Sequence, residues 1–316
     1  MFERFPHCWT PVLPLTELTS NPLATEVAGE RIVLFADGEQ QWHALLDHCP
    51  HRGAALSLGK VNAQGQLRCQ YHGWRFDGAG RCTGVPLNDL NDAALSKIRV
   101  GALPTRQIGG ALWVYTAVTD TPPEPLLPES LEGDPTLFVT YQQEWQANWT
   151  RAQENFIDFA HPPYLHEQTI GAWLHDYAER GGTARVEADE TEFGMTMLSY
   201  VGSSNSGFRL DWYRPNLSVL HFGGTPYNRL NVFCIPVSEN HTRVMTVRRI
   251  RQASDGPGYS RHASGTDNRI LDEDRVIVQS QSGDVLSNAA EISVATDKPT
   301  LMFRRWYQAL IETAID

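Results

Sequence analysis

Nowhere in this chain do apolar residues run on for the roughly 18 positions that a membrane-crossing helix needs. Basic residues are the scarcer charge: 26 Lys and Arg stand against 37 Asp and Glu, a formal net charge of −11. Recognition of phosphates needs clustered cations, and the clusters here stop at Arg248-Arg249 with Arg251 and at Arg304-Arg305. These read as a solvated strand end and a solvated helix face. The expectation is therefore no nucleic-acid partner and no membrane. The segment Met1–Leu13 lacks the basic-then-apolar order of a signal peptide, so the location read from the sequence is cytoplasmic. Cysteines are few as well. Cys8, Cys49, Cys69, Cys82 and Cys234 are odd in number and widely spread, which does not make a disulfide framework. Internal repeats and low-complexity tracts are also missing. With 41% apolar residues in 316, the chain can nevertheless build two modest domains with cores of their own.

The first third has the texture of a small all-β domain. Arg31–Phe35 is an apolar run closed by Asp37-Gly38, Asn62–Gly65 and Asp77–Gly80 read as turns, and Trp74–Phe76 and Leu112–Val118 read as strands. Thr119–Ser130 contains Pro122, Pro123, Pro125 and Pro128, which suit neither helix nor central strand. The expected division is 1–120 and 121–316. In the second part Trp149–Ala160 reads as a helix. The segments Phe193–Val201, Phe208–Tyr213, Ser218–Phe222, Arg229–Pro236 and Arg243–Ile250 read as an antiparallel sheet of about five strands. Ala253–Asp267 reads as a loop, and Asn268–Ser280 and Leu301–Thr313 as helices. The fold class is α+β: an all-β domain, then a domain with an antiparallel sheet flanked by helices.

Two short loops carry the first candidate metal site. Cys49-Pro50-His51-Arg52-Gly53 and Cys69-Gln70-Tyr71-His72-Gly73-Trp74 place one cysteine and one histidine each, as C-x-H and C-x-x-H separated by 17 residues. Thiolate and imidazole suit zinc and iron alike. A structural zinc site is one reading. The other is a [2Fe–2S] centre with both cysteines on one iron and both histidines on the second, to which two mixed loops can contribute a pair each. Gly53 and Gly73 leave room for the backbone to approach a bulky cofactor.

The second candidate lies in Glu154–His166. His161 and His166 are five residues apart, which on an unbroken helix puts them about 140° apart around the axis. Pro162 and Pro163 intervene. A residue before proline is pushed out of the α region, so the helix is expected to end near His161 and let the two rings converge. Asp158, three residues earlier on the same face, suits a partner that fixes the tautomer of His161. A third, acidic ligand is sought in Asp272-Glu273-Asp274. Positions three and four away from Asp274 are Ile270, Leu271, Ile277 and Val278, so Asp274 points inward and Asp272 outward. An inward carboxylate requires a metal or a buried ion pair.

C-P-H-R-G with C-x-Y-H-G-W resembles the motif of the Rieske ring-hydroxylating and demethylating oxygenases, and Glu154–His166 is similar to their E-N-x-x-D-x-x-H-x4-H motif. Glu273-Asp274-Arg275 and the tail Asp297–Trp306 are similar to the corresponding parts of the shorter, single-subunit-type members. The resemblance implies a [2Fe–2S] cluster on Cys49, His51, Cys69 and His72. It also implies a mononuclear Fe(II) on His161, His166 and Asp274, with Glu273 the alternative third ligand. Asp158 would bridge the two metal centres and Asn155 would lie near O2. It further implies a homotrimer in which the cluster of one copy serves the iron of the next, across His72, Asp158 and His161. No flavin or nicotinamide motif stands in the chain, so the electrons come from an external ferredoxin or flavin reductase. The implied reaction is O2-dependent hydroxylation or O- or N-demethylation of a small organic, aromatic or polycyclic substrate. The competing readings are a Rieske electron carrier without oxygenase activity, an arene cis-dihydroxylating dioxygenase, and a zinc-stabilised binding protein.

Overall fold

A computed structural model describes residues 4–252, 268–287 and 291–313. The expected loop Ala253–Asp267 lies outside the described residues. The chain divides into two compact units, Met1–Pro125 and Leu126–Asp316.

Among the described residues the first unit is β-structured apart from a one-turn α-helix, α1 (Asp92–Leu95), and two 3-10 turns, Leu15–Glu17 and Leu56–Leu58. One three-stranded sheet runs Trp9–Pro14, Ala111–Tyr115, Thr105–Ile108. A four-stranded sheet runs Leu23–Val27, Glu30–Ala36, Trp42–Leu46, Ala102–Leu103. Its central strand Glu30–Ala36 buries Ile32, Val33, Leu34 and Phe35 completely, the continuous apolar run that a strand covered on both faces requires. A second four-stranded sheet is made of very short strands, Lys60–Val61, Leu67–Arg68, Arg75–Phe76 and Cys82–Gly84. The first motif loop leaves strand Trp42–Leu46, and the second joins Leu67–Arg68 to Arg75–Phe76.

The second unit is α+β, with one antiparallel sheet of seven strands rather than about five. Its order is Phe138–Trp145, His241–Arg249, Arg229–Ser238, Leu217–His221, Phe208–Tyr213, Gly194–Val201, Ala184–Glu190. Both additional strands are edges. Ala184–Glu190 buries only Val186 and Ala188 and otherwise shows charge to solvent, as edge strands do to avoid pairing with other chains.

Helices α2 (Trp149–Phe156), α3 (Pro162–Leu165), α4 (Ala172–Glu179), α5 (268–278) and α6 (Lys298–Thr313) complete the unit. The side chains of Trp145, Ala152, Phe156, Val232, Cys234, Val244, Leu271 and Val278 form one buried cluster between the sheet and α2 and α5. On α6, Phe303 and Tyr307 are one turn apart and stack edge-on to Trp149, while Trp212 meets Phe303. Each such burial contributes about 1.5–3 kcal/mol, so this helix is held by its aromatic stripe. Among the described residues no helix is long and apolar enough to cross a membrane.

Candidate metal centres

The two loops of the first unit share one backbone design. Cys49 N donates to Ala54 O and Gly53 N to Cys49 O; Cys69 N donates to Trp74 O and Gly73 N to Cys69 O. Gly53 and Gly73 both sit at φ +71, a left-handed conformation that costs glycine nothing and other residues strain. At Gly53 an added Cβ would meet nothing within 4 Å, so here the backbone angle is what requires glycine, not crowding by protein atoms. The loops bury the two cysteines, 3% and 2% exposed, and leave the histidines nearer the surface. His51 Nδ1 and His72 Nδ1 lie 3.1 Å apart. Trp74 stacks on His51 with ring centroids 4.6 Å apart. Asp47, absent from the sequence reading, anchors the first loop: its buried carboxylate accepts from Ser57 N, Ser57 Oγ and Arg31 Nη2. Burial, together with the neighbouring Cys69 thiol and against a hydrogen bond from the His51 backbone, pushes the Cys49 thiol up to about 11. A metal ion reverses that preference by stabilising the thiolate. Cys8, Cys82 and Cys234 are free thiols outside the motif loops.

In the second unit Asn148 caps α2, its Oδ1 accepting from Thr150 N. The helix ends at Phe156, not near His161. The reason is Asp158, which caps the next turn: Oδ1 accepts from Ala160 N at 2.9 Å and Oδ2 from His161 N at 3.1 Å. His161 then takes a helical conformation, φ −74 and ψ −34, although it precedes proline. Pro162 and Pro163 occupy the first helical positions of α3, where a missing N–H is harmless. The expected exclusion of His161 from the α region is therefore overturned, since capping by Asp158 outweighs a preference that disfavours without forbidding. His161 opens this turn and His166 closes it, and their ring centroids are 5.2 Å apart. Gly171 packs directly on the turn. A Cβ there would lie 1.9 Å from Pro162 O and 3.0 Å from His166 O.

The two rings turn the same edge to one oxygen. His166 Nε2 is 3.2 Å and His161 Nε2 3.7 Å from Asp274 Oδ1. Asp274 is 2% exposed, and its Oδ1 has no hydrogen bond among the described residues. His161, His166 and Asp274 are the one group of three or more potential metal ligands gathered this closely among the described residues, all donor atoms within 4.8 Å. The far edges of the rings face two other carboxylates. Asp158 Oδ2 is 3.2 Å from His161 Nδ1, and Glu273 Oε2 is 2.8 Å from His166 Nδ1. Glu273 thus stands behind His166 and not beside Asp274 Oδ1. Asp272 faces outward and pairs with Arg275. Burial raises the Asp158 pKa, but the His161 side chain and the two backbone N–H groups outweigh it and leave the carboxyl below its ordinary value.

Comparison with known proteins matches the Rieske [2Fe-2S] domain to residues 8–97 and the vanillate O-demethylase oxygenase C-terminal domain to residues 145–313. Methylxanthine N1-demethylase NdmA of Pseudomonas putida is 30% identical over 98% of this chain and 90% of its own length. The chain belongs to the Rieske non-haem iron oxygenases. The solved structure of a QL mutant of P. putida CBB5 NdmA with theobromine has the same fold, with TM-score 0.76 at 26% identity over 98% of this chain and 91% of that one. The oxygenase subunit of 5,5'-dehydrodivanillate O-demethylase from Sphingobium sp. is 34% identical over 52% of this chain and 40% of that subunit. As a Rieske oxygenase of the monooxygenase and demethylase type, the protein works with a [2Fe–2S] cluster, a mononuclear iron and O2. Its residues fit both groups: paired buried thiols and paired imidazoles in one unit, and in the other two imidazoles facing a buried carboxylate oxygen that accepts no hydrogen bond among the described residues.

A cavity of about 250 Å³ borders Asn155, Asp158 and His161 and is walled by Arg151, Arg304 and Glu291. The sequence reading left Arg304 solvated. Instead its guanidinium grips Glu154 through two bonds of 2.6 and 2.8 Å and Glu291 through one of 2.7 Å. Arg151, 3% exposed, holds Glu291 from the other side. Pairing across 150 residues carries no local signature in a sequence. Replacing Arg304 with Met is expected to cost the second unit about 1–3 kcal/mol, because among the described residues Glu154 keeps only Arg151 at 3.6 Å; the urea midpoint reads this. Arg151 and then Arg304 hold the Glu291 carboxyl below its ordinary 4.5, against partial burial. A depressed carboxyl stabilises above its ordinary pKa and stops doing so as pH falls through the folded value. The difference between native and variant should therefore be full at neutral pH and shrink below about pH 4.5.

Proposed function

We propose that the protein O- or N-demethylates, or hydroxylates, a small organic substrate with an aromatic or polycyclic frame. In this reading the first unit carries the cluster on Cys49, His51, Cys69 and His72. The second carries Fe(II) on His161, His166 and Asp274. The observation that carries the reading is the meeting of two imidazole Nε2 atoms at the buried Asp274 Oδ1, which accepts no hydrogen bond among the described residues. This is the two-histidine, one-carboxylate donor set of non-haem Fe(II) oxygenases. Relatives that take methyl groups from nitrogen and from oxygen, NdmA and the dehydrodivanillate enzyme, support demethylation.

The bound metals supply electron transfer and O2 activation. The chain's own residues do the rest. Asp158 holds the proton of His161 on Nδ1, so that Nε2 presents its lone pair. Asn155 borders the cavity, and its Nδ2 is buried without a hydrogen-bond partner among the described residues. Asp274 supplies the anionic ligand. Overall, a methyl group on nitrogen or oxygen, O2, two electrons and two protons give the demethylated product, formaldehyde and water. The electrons come from a ferredoxin or flavin reductase. The assembly in this reading is a homotrimer, with the His72 edge of one copy against Asp158 of the next. The exposed His72 and the partly exposed Asp158 support that pairing.

The test is the iron and acid-labile sulfide content of anaerobically purified protein, then formaldehyde release with a surrogate reductase and a panel of methylated aromatics. About three irons per two sulfides and O2-dependent formaldehyde are expected. Two irons per two sulfides, unchanged by added Fe(II), would leave a cluster-bearing carrier and remove this reading.

A further inference from the structure

We propose that Glu273 is a positioning residue that fixes the tautomer and tilt of His166 and is not itself a ligand. The inference rests on the reading of His166 as a ligand of the mononuclear iron. An imidazole that offers one nitrogen to a metal must carry its proton on the other, and an ionised carboxylate there can only accept it. Glu273 Oε2 lies 2.8 Å from His166 Nδ1. The same oxygen accepts from Thr169 Oγ1 at 2.9 Å, so the carboxylate is itself aimed. Thr169 belongs to the chain just beyond His166, and its backbone N–H donates to His166 O. Ring, hydroxyl and carboxylate form one closed unit around a histidine that is 2% exposed.

Helix α5 explains how one element serves both edges of the ring. Consecutive helical residues point about 100° apart. Asp274 therefore reaches the Nε2 edge, while Glu273, longer by one methylene, passes around to Nδ1. A carboxylate on the far nitrogen raises the ring's strength as a ligand as well as fixing its orientation. His161 has the same arrangement with a different donor, Asp158 from its own turn. Each histidine thus has a carboxylate of its own on Nδ1, and the two share the one on Nε2.

The experiment measures Fe(II) affinity by chelator competition on full-length, cluster-loaded protein, with Co(II) absorption bands as a second reporter of the site. Glu273→Ala should weaken Fe(II) binding about 10- to 100-fold and alter the Co(II) bands, with cluster content unchanged. Glu273→Gln keeps the length and one acceptor oxygen and should recover most of the affinity. His166→Ala should lose the metal. Native affinity and native Co(II) bands in Glu273→Ala, beside loss in His166→Ala, would overturn the positioning role and leave the iron site standing. Loss in Glu273→Gln as complete as in His166→Ala would make Glu273 a ligand and overturn the inference. Native affinity in His166→Ala would overturn the underlying reading instead.

Discussion

An Asp274→Asn protein is expected to keep its cluster absorption, bind Fe(II) more than about 100-fold more weakly, and lose O2-dependent turnover to at least that extent. Loss of an outer hydrogen-bond partner alone costs a metal site about 10- to 100-fold, and this change removes the proposed anionic ligand outright. The fold should tolerate it. Asn has nearly the same shape, and α5 stays anchored by Leu271 and Val278, 3% and 1% exposed. The amide keeps an oxygen that can face His166 Nε2, 3.2 Å away in the native site, and a buried amide costs less than a buried carboxylate, so the thermal midpoint of the iron-free protein should not fall. Asp272→Asn is the matched control two residues away. Its side chain is half exposed and pairs with Arg275 on the surface, so its effect should stay within about 1 kcal/mol in stability and leave iron binding alone. Iron content by chelator titration, read beside the cluster spectrum, separates the two variants. Full iron in Asp274→Asn would move the third ligand elsewhere.

Asp274 also marks how far local patterning carries. Its inward direction follows from the apolar residues three and four positions away, because the helix period is a property of the backbone that sequence spacing reports directly. The strands Phe208–Tyr213 and Arg229–Ser238, the latter read as Arg229–Pro236, were legible for a related reason, being alternating segments bounded by turn residues. Strand Ala184–Glu190 was not, since an edge strand with charged residues at 185, 187, 189 and 190 carries almost no apolar signal. Nor was the true end of α2. A side-chain cap from Asp158 decides it, and that capping outweighs the proline preference. The role of Glu273 depends on the curvature of a turn more than 100 residues earlier, at Thr169 and His166. The partners of Arg304 are equally remote. Ligand candidates could be named from spacing because metals constrain residue type. Their supporting partners could not, because any carboxylate that reaches will serve.

Asp158→Asn should give the opposite dissociation from Asp274→Asn: both metals present at saturating Fe(II), and product formation reduced about 100-fold or more. Both carboxylate oxygens are in use. Oδ1 accepts from Ala160 N, and Oδ2 accepts from His161 N while facing His161 Nδ1 at 3.2 Å. An amide has one acceptor and one donor. Placed with its NH2 toward Ala160 N, it sets donor against donor and loosens the turn that carries His161. Placed the other way, it faces the N–H of His161 and its ring proton, and the proton moves to Nε2, the edge proposed to face the metal. Saturating Fe(II) can refill the site, because His166 and Asp274 are untouched. It cannot restore the charged path from the protein surface through Asp158 to His161, along which the electron is proposed to arrive. The measurement is a single turnover: the cluster is reduced chemically, O2 and a methylated substrate are added, and formaldehyde is counted against the reduced-cluster EPR signal that remains. Retention of that signal with little formaldehyde is the expected result. Native formaldehyde yield with full loss of the signal would remove Asp158 from the electron path and leave it the cap of a turn.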